Sequence, residues 1–554
     1  MATSRPFLSR KPTKDPADLS EETADYKKIA ADHEAAKAVL AKDKDGSVSL
    51  TENEKAKVKQ LNKEDKERAK GEKVHKQFRD VKFAPNNTAF DRHNPERSGS
   101  FHGFFALFWL GLAFLAIKTL LQHYRRTGNL FRGELMTMYK LDAVNLFWTD
   151  FAMVTSSFFV VFLQKLVFAG LSWNKFGWLI ENLWQTMYLV FVVHRSYTGN
   201  WQWIQSVVVI LHCFVMLMKQ HSYAAYMGYL SEVYKTKQKL EKKLVELRRK
   251  SKAAPQVKVQ PPSPVDEKSD ADSCDSNTTL AEQDNGKDTS LLQDEEKFLA
   301  DRITDLSEEL THDGVTYPEN LTFYNYLDYL LVPSLVYDIV YPRTKQIRWW
   351  YVCEKTLATL GTFFLMTMIV EHYILPIIPA NLSTMTTNEK LAELPWLMLD
   401  MVFPFITMYL LTFYIIFECV CQWFAEVTRF ADRNFYNDWW NSLSWENFAR
   451  DWNVPVHRFL LRHVYHSSMS VLQVKKGQAT LITFFLSSVV HEVVMACMTK
   501  KIRFYLLSSQ MLQLPLVVLM RTKLFKRNPA AANVFFWFGL FCGPSFLCLA
   551  YVLF

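Results

Sequence analysis

The sequence predicts an all-α, polytopic membrane protein with about nine transmembrane helices. One observation is the uneven charge: residues 1–97 and 235–316 hold 36 of the 64 Lys and Arg and 36 of the 56 Asp and Glu. The other 375 residues are about 13% charged and rich in Phe, Trp, Leu and Val. This composition is typical of a membrane protein and excludes a collagen, a disulfide scaffold, a wholly disordered chain and an ordinary soluble enzyme.

The second observation is the length of the apolar runs. A bilayer core about 30 Å thick is crossed by roughly 20 helical residues. The nine predicted spans are 101–121, 145–171, 177–194, 201–218, 350–378, 396–423, 478–498, 502–520 and 532–553. The aromatic stretch 323–341 is interrupted by Pro333 and carries two aspartates, so we predict an interfacial or re-entrant segment there.

The spans and charged segments predict four parts of the chain. These are a charged, largely disordered or helical cytosolic arm (1–97), spans one to four (98–234), a mostly disordered cytosolic insert (235–316), and the interfacial segment with spans five to nine (317–554). Basic flanks put the amino terminus and the insert on the cytosolic side. The net charge of +8 therefore marks orientation and gives no reason to expect nucleic acid.

Few ionisable residues lie inside the spans, and the pair His491-Glu492 is the most conspicuous. An ionisable side chain in hydrocarbon is costly, which makes it a candidate functional residue. The alternative is a histidine whose polar atoms are satisfied by a neighbouring helix. Ser487 lies on the same helical face as His491, whereas Glu492 points about 100° away and is expected to be a structural hydrogen-bond partner.

A loop of unusual composition precedes this helix. Residues 434–457 contain four Trp, five Asn and two Asp, and lie between two predicted apolar helices. Trp suits the membrane interface, but that does not explain the asparagines, whose amides offer donors and acceptors at membrane depth. The loop is therefore a second candidate site.

Within this loop, residues 435–441 (FYNDWWN) resemble the signature of the sterol- and diacylglycerol-esterifying branch of the membrane-bound O-acyltransferase family. Trp452-Asn453, His457 and His491-Glu492 complete the resemblance. It implies an endoplasmic-reticulum enzyme whose helices enclose a catalytic chamber and which esterifies a lipid alcohol with the acyl group of acyl-CoA. The run 219–231 and the long insert are similar to sterol-esterifying members, especially fungal ones.

The resemblance also assigns roles. His491 is the expected general base, and Asn453 polarises or orients the acyl carbonyl or the hydroxyl. The signature residues are Phe435, Tyr436, Asp438, Trp439, Trp440 and Asn441; Asp438 and Asn441 are expected to fix the loop while the tryptophans cap the chamber. Substrate contacts are expected from Trp452, His457, Ser487, Arg450, Tyr465 and Lys476.

Acyl-CoA brings phosphates to the cytosolic side. Arg450, Arg462, Lys475 and Lys476 are candidates to bind them, with Tyr465 stacking on adenine, although cytosolic loops are basic in any case. We expect a steryl ester as the product, acyl-CoA as co-substrate, no cofactor or metal, and a homo-oligomer. A diacylglycerol acyltransferase and a non-catalytic lipid transporter or scaffold are the alternatives.

Overall fold

The computed structural model describes residues 78, 81–88, 102–128, 142–199, 201–253 and 296–554. Apart from one short antiparallel hairpin, β1 (Thr311–His312) and β2 (Val315–Thr316), the regular structure of these residues is helical. From residue 102 onward, the described α-helices are α1 (His102–Thr127), α2 (Ala143–Ser157), α3 (Phe159–Phe168), α4 (Trp178–Thr198), α5 (Trp203–Ala253), α6 (296–310), α7 (Phe323–Leu331), α8 (Trp349–Ile369), α9 (Thr387–Phe413), α10 (Cys421–Val427), α11 (Trp445–Asp451), α12 (Val454–Phe459), α13 (His466–Val471), α14 (Lys476–Thr499), α15 (Tyr505–Met520), α16 (Lys523–Arg527) and α17 (Pro529–Leu553).

Seven helical segments of the described chain are long and apolar enough to cross a bilayer. They are Ala106–Thr127, Ala143–Phe168, Trp203–Arg249, Trp349–Ile377, Thr387–Val427, Lys476–Thr499 and Pro529–Leu553. The other two predicted spans are the helices α4 and α15. Polar residues such as Glu181 and Arg195 interrupt the apolar character of α4, and the 16 residues of α15 reach only about 24 Å. The all-helical, multi-span prediction is confirmed, whereas the count of nine is not.

The spanning helices pack in two apolar clusters. Leu112, Leu365, Met401 and Leu549 join α1, α8, α9 and α17. Met153, Tyr188, Cys213 and Cys497 join α2, α4, α5 and α14. Many outward-facing apolar side chains stay exposed, as expected for helices whose solvent is lipid.

The segment 323–341, predicted to be interfacial or re-entrant, contains the nine-residue helix α7, which is too short to be among the candidate spans of the described chain; Tyr326 and Tyr329 are buried, whereas Tyr324 is exposed. Thr322 is the N-cap residue of α7, and its hydroxyl accepts the backbone N–H of Asn325 at 3.1 Å. After α7, the ammonium of buried Lys219 donates to the carbonyls of Tyr329, Val332 and Ser334 at 2.7–2.9 Å. Irregular backbone is tolerated in a membrane protein where protein groups satisfy it in this way.

The insert 235–316 is structured at both ends. Helix α5 continues to Ala253, and α6 packs on it through Leu240, Leu244, Leu247, Leu299 and Ile303. These ends are helical, and their leucines recur at helical spacing and form a shared apolar stripe. That the insert is mostly disordered stays a prediction. Residues 254–295 lie outside the described part of the chain.

The arm 1–97 is described at Phe78 and residues 81–88 only. Residues 81–88 contain no helix, and both Val81 and Thr88 are buried in the body of the protein. That the arm as a whole is largely disordered or helical stays a prediction.

Candidate active site

His491 lies near the middle of α14, and its ring is exposed. Nδ1 is 2.7 Å from the carbonyl oxygen of Ser487, one turn earlier in the same helix. A carbonyl can only accept, so in the neutral imidazole this contact assigns the proton to Nδ1, and Nε2 then keeps a lone pair. Among the described residues nothing hydrogen-bonds to Nε2, and Nδ1 contacts a carbonyl of its own helix. The role of His491 as general base stays a prediction.

Glu492, next in sequence, is buried and serves a different purpose. Its carboxylate accepts the backbone N–H groups of Phe504 at 2.7 Å and Leu507 at 3.0 Å, and the hydroxyl of Tyr551 at 2.9–3.0 Å. The two backbone donors are at the amino terminus of α15, where a negative charge is also favoured by the helix dipole, and Tyr551 donates from α17. The expected structural role of Glu492 is confirmed.

Asn453 is the N-cap residue of α12. Its Oδ1 accepts the backbone N–H of Val456 at 3.1 Å, and Pro455 occupies the first turn, where the missing N–H has no cost. The cap uses the amide oxygen and leaves the two N–H groups of Nδ2 as donors on a half-buried side chain. No acceptor among the described residues contacts Nδ2.

The signature loop forms an aromatic cluster beside Asn453. The ring of Trp439 is buried and lies 4.9 Å from that of Trp452, centroid to centroid. Trp452 stacks on Tyr409 of α9 at 4.6 Å and also contacts Phe413. The carbonyl of Trp440 accepts the indole N–H of Trp537 from α17 at 3.2 Å. The loop is thereby packed against two spanning helices.

Hydrogen bonds from other loop residues hold this arrangement. The hydroxyl of Tyr436 donates to buried Glu418 at 2.7 Å. The side-chain and backbone N–H groups of Asn437 donate to Asp451 at 3.0 and 2.8 Å. The backbone N–H of Val454 donates to the carbonyl of Phe435 at 3.0 Å, which ties the start of α12 to the signature.

Asp438 and Asn441 do not fix the loop with their side chains. Both side chains are exposed, and neither has a hydrogen-bond partner among the described residues. The expectation is wrong because the loop is held by its neighbours Tyr436 and Asn437 instead. Only the backbone takes part, through a bond from the N–H of Asn441 to the carbonyl of Asp438 at 3.0 Å.

The expected substrate contacts lie on several elements. Arg450 is exposed and donates to Asn447 at 3.0 Å, and Lys476 is exposed at the first turn of α14. Tyr465 is half-buried, with its ring 5.4 Å from that of His466. Ser487 is half-buried and meets His491 through its carbonyl.

His457 is half-buried on α12. Burial lowers the pKa of its imidazole, and the nearby cations Arg450 and Arg458 add to this effect. Its ring is therefore neutral at pH 7. Arg462 differs from the expectation, because it is buried and its guanidinium donates to the carbonyl of Tyr337 at 3.2 Å, so it is not open to a phosphate.

The two expected catalytic side chains lie on packed elements. Helix α14 packs against the π-helical turn Leu460–Tyr465. This turn follows directly on α12, the helix that Asn453 caps. No hydrogen bond joins His491 to Asn453 in the described part of the chain. The sequence interpretation missed the buried carboxylates Glu418 and Asp432; Glu418 carried a signal, as an acid within an apolar span.

An imidazole nitrogen without a partner, an amide with free N–H groups and an aromatic loop, all carried by a bundle of apolar helices in the described part of the chain, are the kinds of group that a membrane acyltransferase needs. The family model of the membrane-bound O-acyltransferases matches residues 187–553. The chain belongs to the membrane-bound O-acyltransferase family.

Curated relatives extend the similarity over most of the chain. The "Probable sterol O-acyltransferase 1" of Schizosaccharomyces pombe is 39% identical over 485 residues, which cover 86% of this chain and 87% of the relative. The "Probable sterol O-acyltransferase 2" of the same yeast is 34% identical and covers 93% and 99%. The diacylglycerol O-acyltransferase 1 of Dictyostelium discoideum is 30% identical over 268 residues, or 48% of this chain and 41% of the relative.

Proposed function

We propose that this protein is a sterol O-acyltransferase, which transfers a long-chain acyl group from acyl-CoA to the 3-hydroxyl of a sterol. The observation that carries the proposal is the hydrogen bond from Nδ1 of His491 to the Ser487 carbonyl, since it leaves a basic nitrogen accessible inside a membrane span. Acyl-CoA is the co-substrate, and the reaction needs no separate cofactor. The products are a steryl ester and free CoA.

The first step is addition of the alcohol to the thioester. Nε2 of His491 takes the hydroxyl proton as the sterol oxygen bonds to the acyl carbon. Negative charge then develops on the former carbonyl oxygen. The free N–H groups of Asn453 are suited to donate to this oxyanion, because Oδ1 already accepts from Val456.

The second step expels CoA. The carbon–sulfur bond breaks as the carbonyl re-forms, and the proton held on Nε2 passes to the thiolate. The imidazole returns to its neutral state, so the cycle needs no outside acid or base. Packing of Trp439 and Trp452 supports a further part of the proposal, that the signature loop keeps water from the thioester.

Two findings favour a sterol over diacylglycerol as the acceptor. The sterol-esterifying relatives align over 86–93% of this chain, against 48% for the diacylglycerol-esterifying relative. The resemblance at 219–231 to sterol-esterifying members lies on α5, where Lys219 orders the segment after α7. The run that resembles sterol-esterifying members thus includes a residue that holds the segment after α7 in place.

The test is a substrate comparison in microsomes from cells that lack other acyltransferases. Labelled oleoyl-CoA is supplied with ergosterol or with diacylglycerol, and the labelled products are separated. We expect labelled steryl ester from the wild-type protein and none from His491→Ala at equal protein level. Triacylglycerol as the only product would show that the acceptor is diacylglycerol.

The same proposal includes a location. We place the protein in the endoplasmic-reticulum membrane as a homo-oligomer, with its amino terminus and residues 235–316 in the cytosol. The basic surface of the extension of α5 beyond the span supports this orientation. Protease protection of tags at residue 1 and within 254–295 tests it, and protection of either tag in sealed microsomes contradicts it.

A further inference from the structure

Residues 81–88, which we call the strap, run through the body of the protein beside the signature loop. The backbone N–H of Asn86 donates to the carbonyl of Ala431 at 3.0 Å, and the N–H of Arg433 donates to the carbonyl of Asn86 at 3.1 Å. These bonds form an isolated parallel bridge between Asn86 and Asp432. The strap thus pairs with the chain at Asp432, three residues before the signature begins at Phe435.

The side chain of Asn86 reaches a carboxylate that also holds α12. Nδ2 of Asn86 donates to Oδ1 of Asp432 at 3.1 Å, and Arg458 donates to Oδ2 of the same carboxylate at 3.0 Å. The guanidinium of Arg458 also lies over the ring of Phe83, 5.3 Å from its centroid. Arg458 is on α12, the helix that Asn453 caps, so two strap residues contact the partners that orient this helix.

A second carboxylate links the strap to the signature itself. The hydroxyl of Thr88 donates to Oε1 of Glu418 at 2.7 Å. The hydroxyl of Tyr436 donates to the same oxygen at 2.7 Å. Glu418 and Thr88 are both buried, so the shared oxygen is shielded from water. The strap therefore meets both the signature loop and α12 through buried acids.

We propose that the strap positions the catalytic loop, with Asn86 acting through Asp432 and Arg458 to hold α12 and the amide of Asn453 in place. This inference rests on the proposed function, in which Asn453 donates to the oxyanion. Asn86 is a positioning residue, since its contacts are with Asp432 and the backbone. The strap belongs functionally to the enzyme core, although it ends 14 residues before α1 begins at His102.

The test compares Asn86→Ala with Asn87→Ala in the full-length protein. Both asparagines are exposed neighbours in the strap, but Asn87 has no hydrogen bond among the described residues, so it is a matched control. Because small displacements of a reacting group cost up to about 10²-fold in rate, we expect Asn86→Ala to lower kcat about 10-fold with KM for acyl-CoA unchanged. Asn87→Ala is expected to keep wild-type kcat, and thermal unfolding of both should match the wild type within a few degrees.

A double variant separates positioning from general loss of structure. Asn453→Ser keeps an oxygen for the cap and removes the amide donor. If Asn86 acts through this amide, adding Asn86→Ala to Asn453→Ser should lower kcat less than about twofold further. Equal kcat for Asn86→Ala and Asn87→Ala, or the same 10-fold loss in both backgrounds, overturns the strap proposal. Wild-type kcat in Asn453→Ser instead overturns the proposed role of Asn453 in the reaction.

Discussion

The proposed function gives the two ends of the Asn453 amide two tasks, and substitution can separate them. Oδ1 accepts the N–H of Val456 at 3.1 Å and starts α12, while Nδ2 is free to donate to the reaction. Loss of an N-cap oxygen costs about 1 kcal/mol of stability. Loss of an oxyanion donor costs about 10²–10³ in rate, or roughly 2.7–4 kcal/mol of transition-state stabilisation.

Asn453→Ser and Asn453→Ala therefore have different expected outcomes. Both variants should lose about 10²–10³ in kcat, because neither has the amide donor. Only the Ala variant should also unfold at a lower temperature, since the Ser hydroxyl can still accept from Val456. Steryl ester synthesis from labelled oleoyl-CoA and a thermal unfolding curve of the purified protein measure the two effects.

The reasoning fails if the Ser variant keeps wild-type kcat, because the amide would then have no part in the chemistry. It fails equally if the Ser and Ala variants unfold at the same lowered temperature. In that case the bond from Val456 would depend on the amide group as a whole, and the division of labour between Oδ1 and Nδ2 would be wrong.

His491 and Glu492, neighbours on α14, should respond in opposite ways to substitution. His491→Ala should abolish ester synthesis without changing the unfolding temperature. Glu492→Gln should lower the free energy of unfolding by about 1–2 kcal/mol, while the folded protein remains active. Gly539→Ala should lower activity, because the new Cβ would lie 2.6 Å from the buried ring of Trp445 in α11, whereas Gly543→Ala has nothing within 4 Å and should be neutral or stabilising. Lys219→Met should reduce the free energy of unfolding by at least about 2 kcal/mol, since three buried carbonyls lose their donor. Activity assays and thermal unfolding check the two pairs, and equal behaviour of the two variants within a pair contradicts the prediction. For Lys219→Met, an unchanged free energy of unfolding contradicts it.

Sequence patterns predicted those features that depend on the bilayer or on one helix. Apolar runs identified the spans because lipid requires them, and the 100° step between His491 and Glu492 predicted their separate surroundings. The prediction for the insert rested on its high charge, which gave no indication of the leucine stripe shared by α5 and α6. A composition average cannot detect such a stripe.

Contacts between distant parts of the chain could not be predicted from local patterns. Asn86 and Asp432 are 346 residues apart, and nothing near Asn86 distinguishes it from Asn87. The signature likewise does not reveal which of its polar residues point inward. Tyr436 meets Glu418, whereas Asp438, two residues later, is exposed just before the 3-10 turn Trp439–Asn441.

The buried carboxylates around the signature loop explain how an irregular segment can be rigid next to a membrane. Glu418 lies 3.7 Å from Lys355, and Asp432 receives Arg458 at 3.0 Å. A buried pair of this kind adds little net stability, but removal of one partner leaves a charge uncompensated at a cost of about 3–5 kcal/mol. Displacement of α12 would separate Arg458 from Asp432, and displacement of the signature loop would take the hydroxyl of Tyr436 away from Glu418. The pairs therefore select one arrangement of the loop, which is the requirement for an amide donor that must meet an oxyanion within a fraction of an ångström.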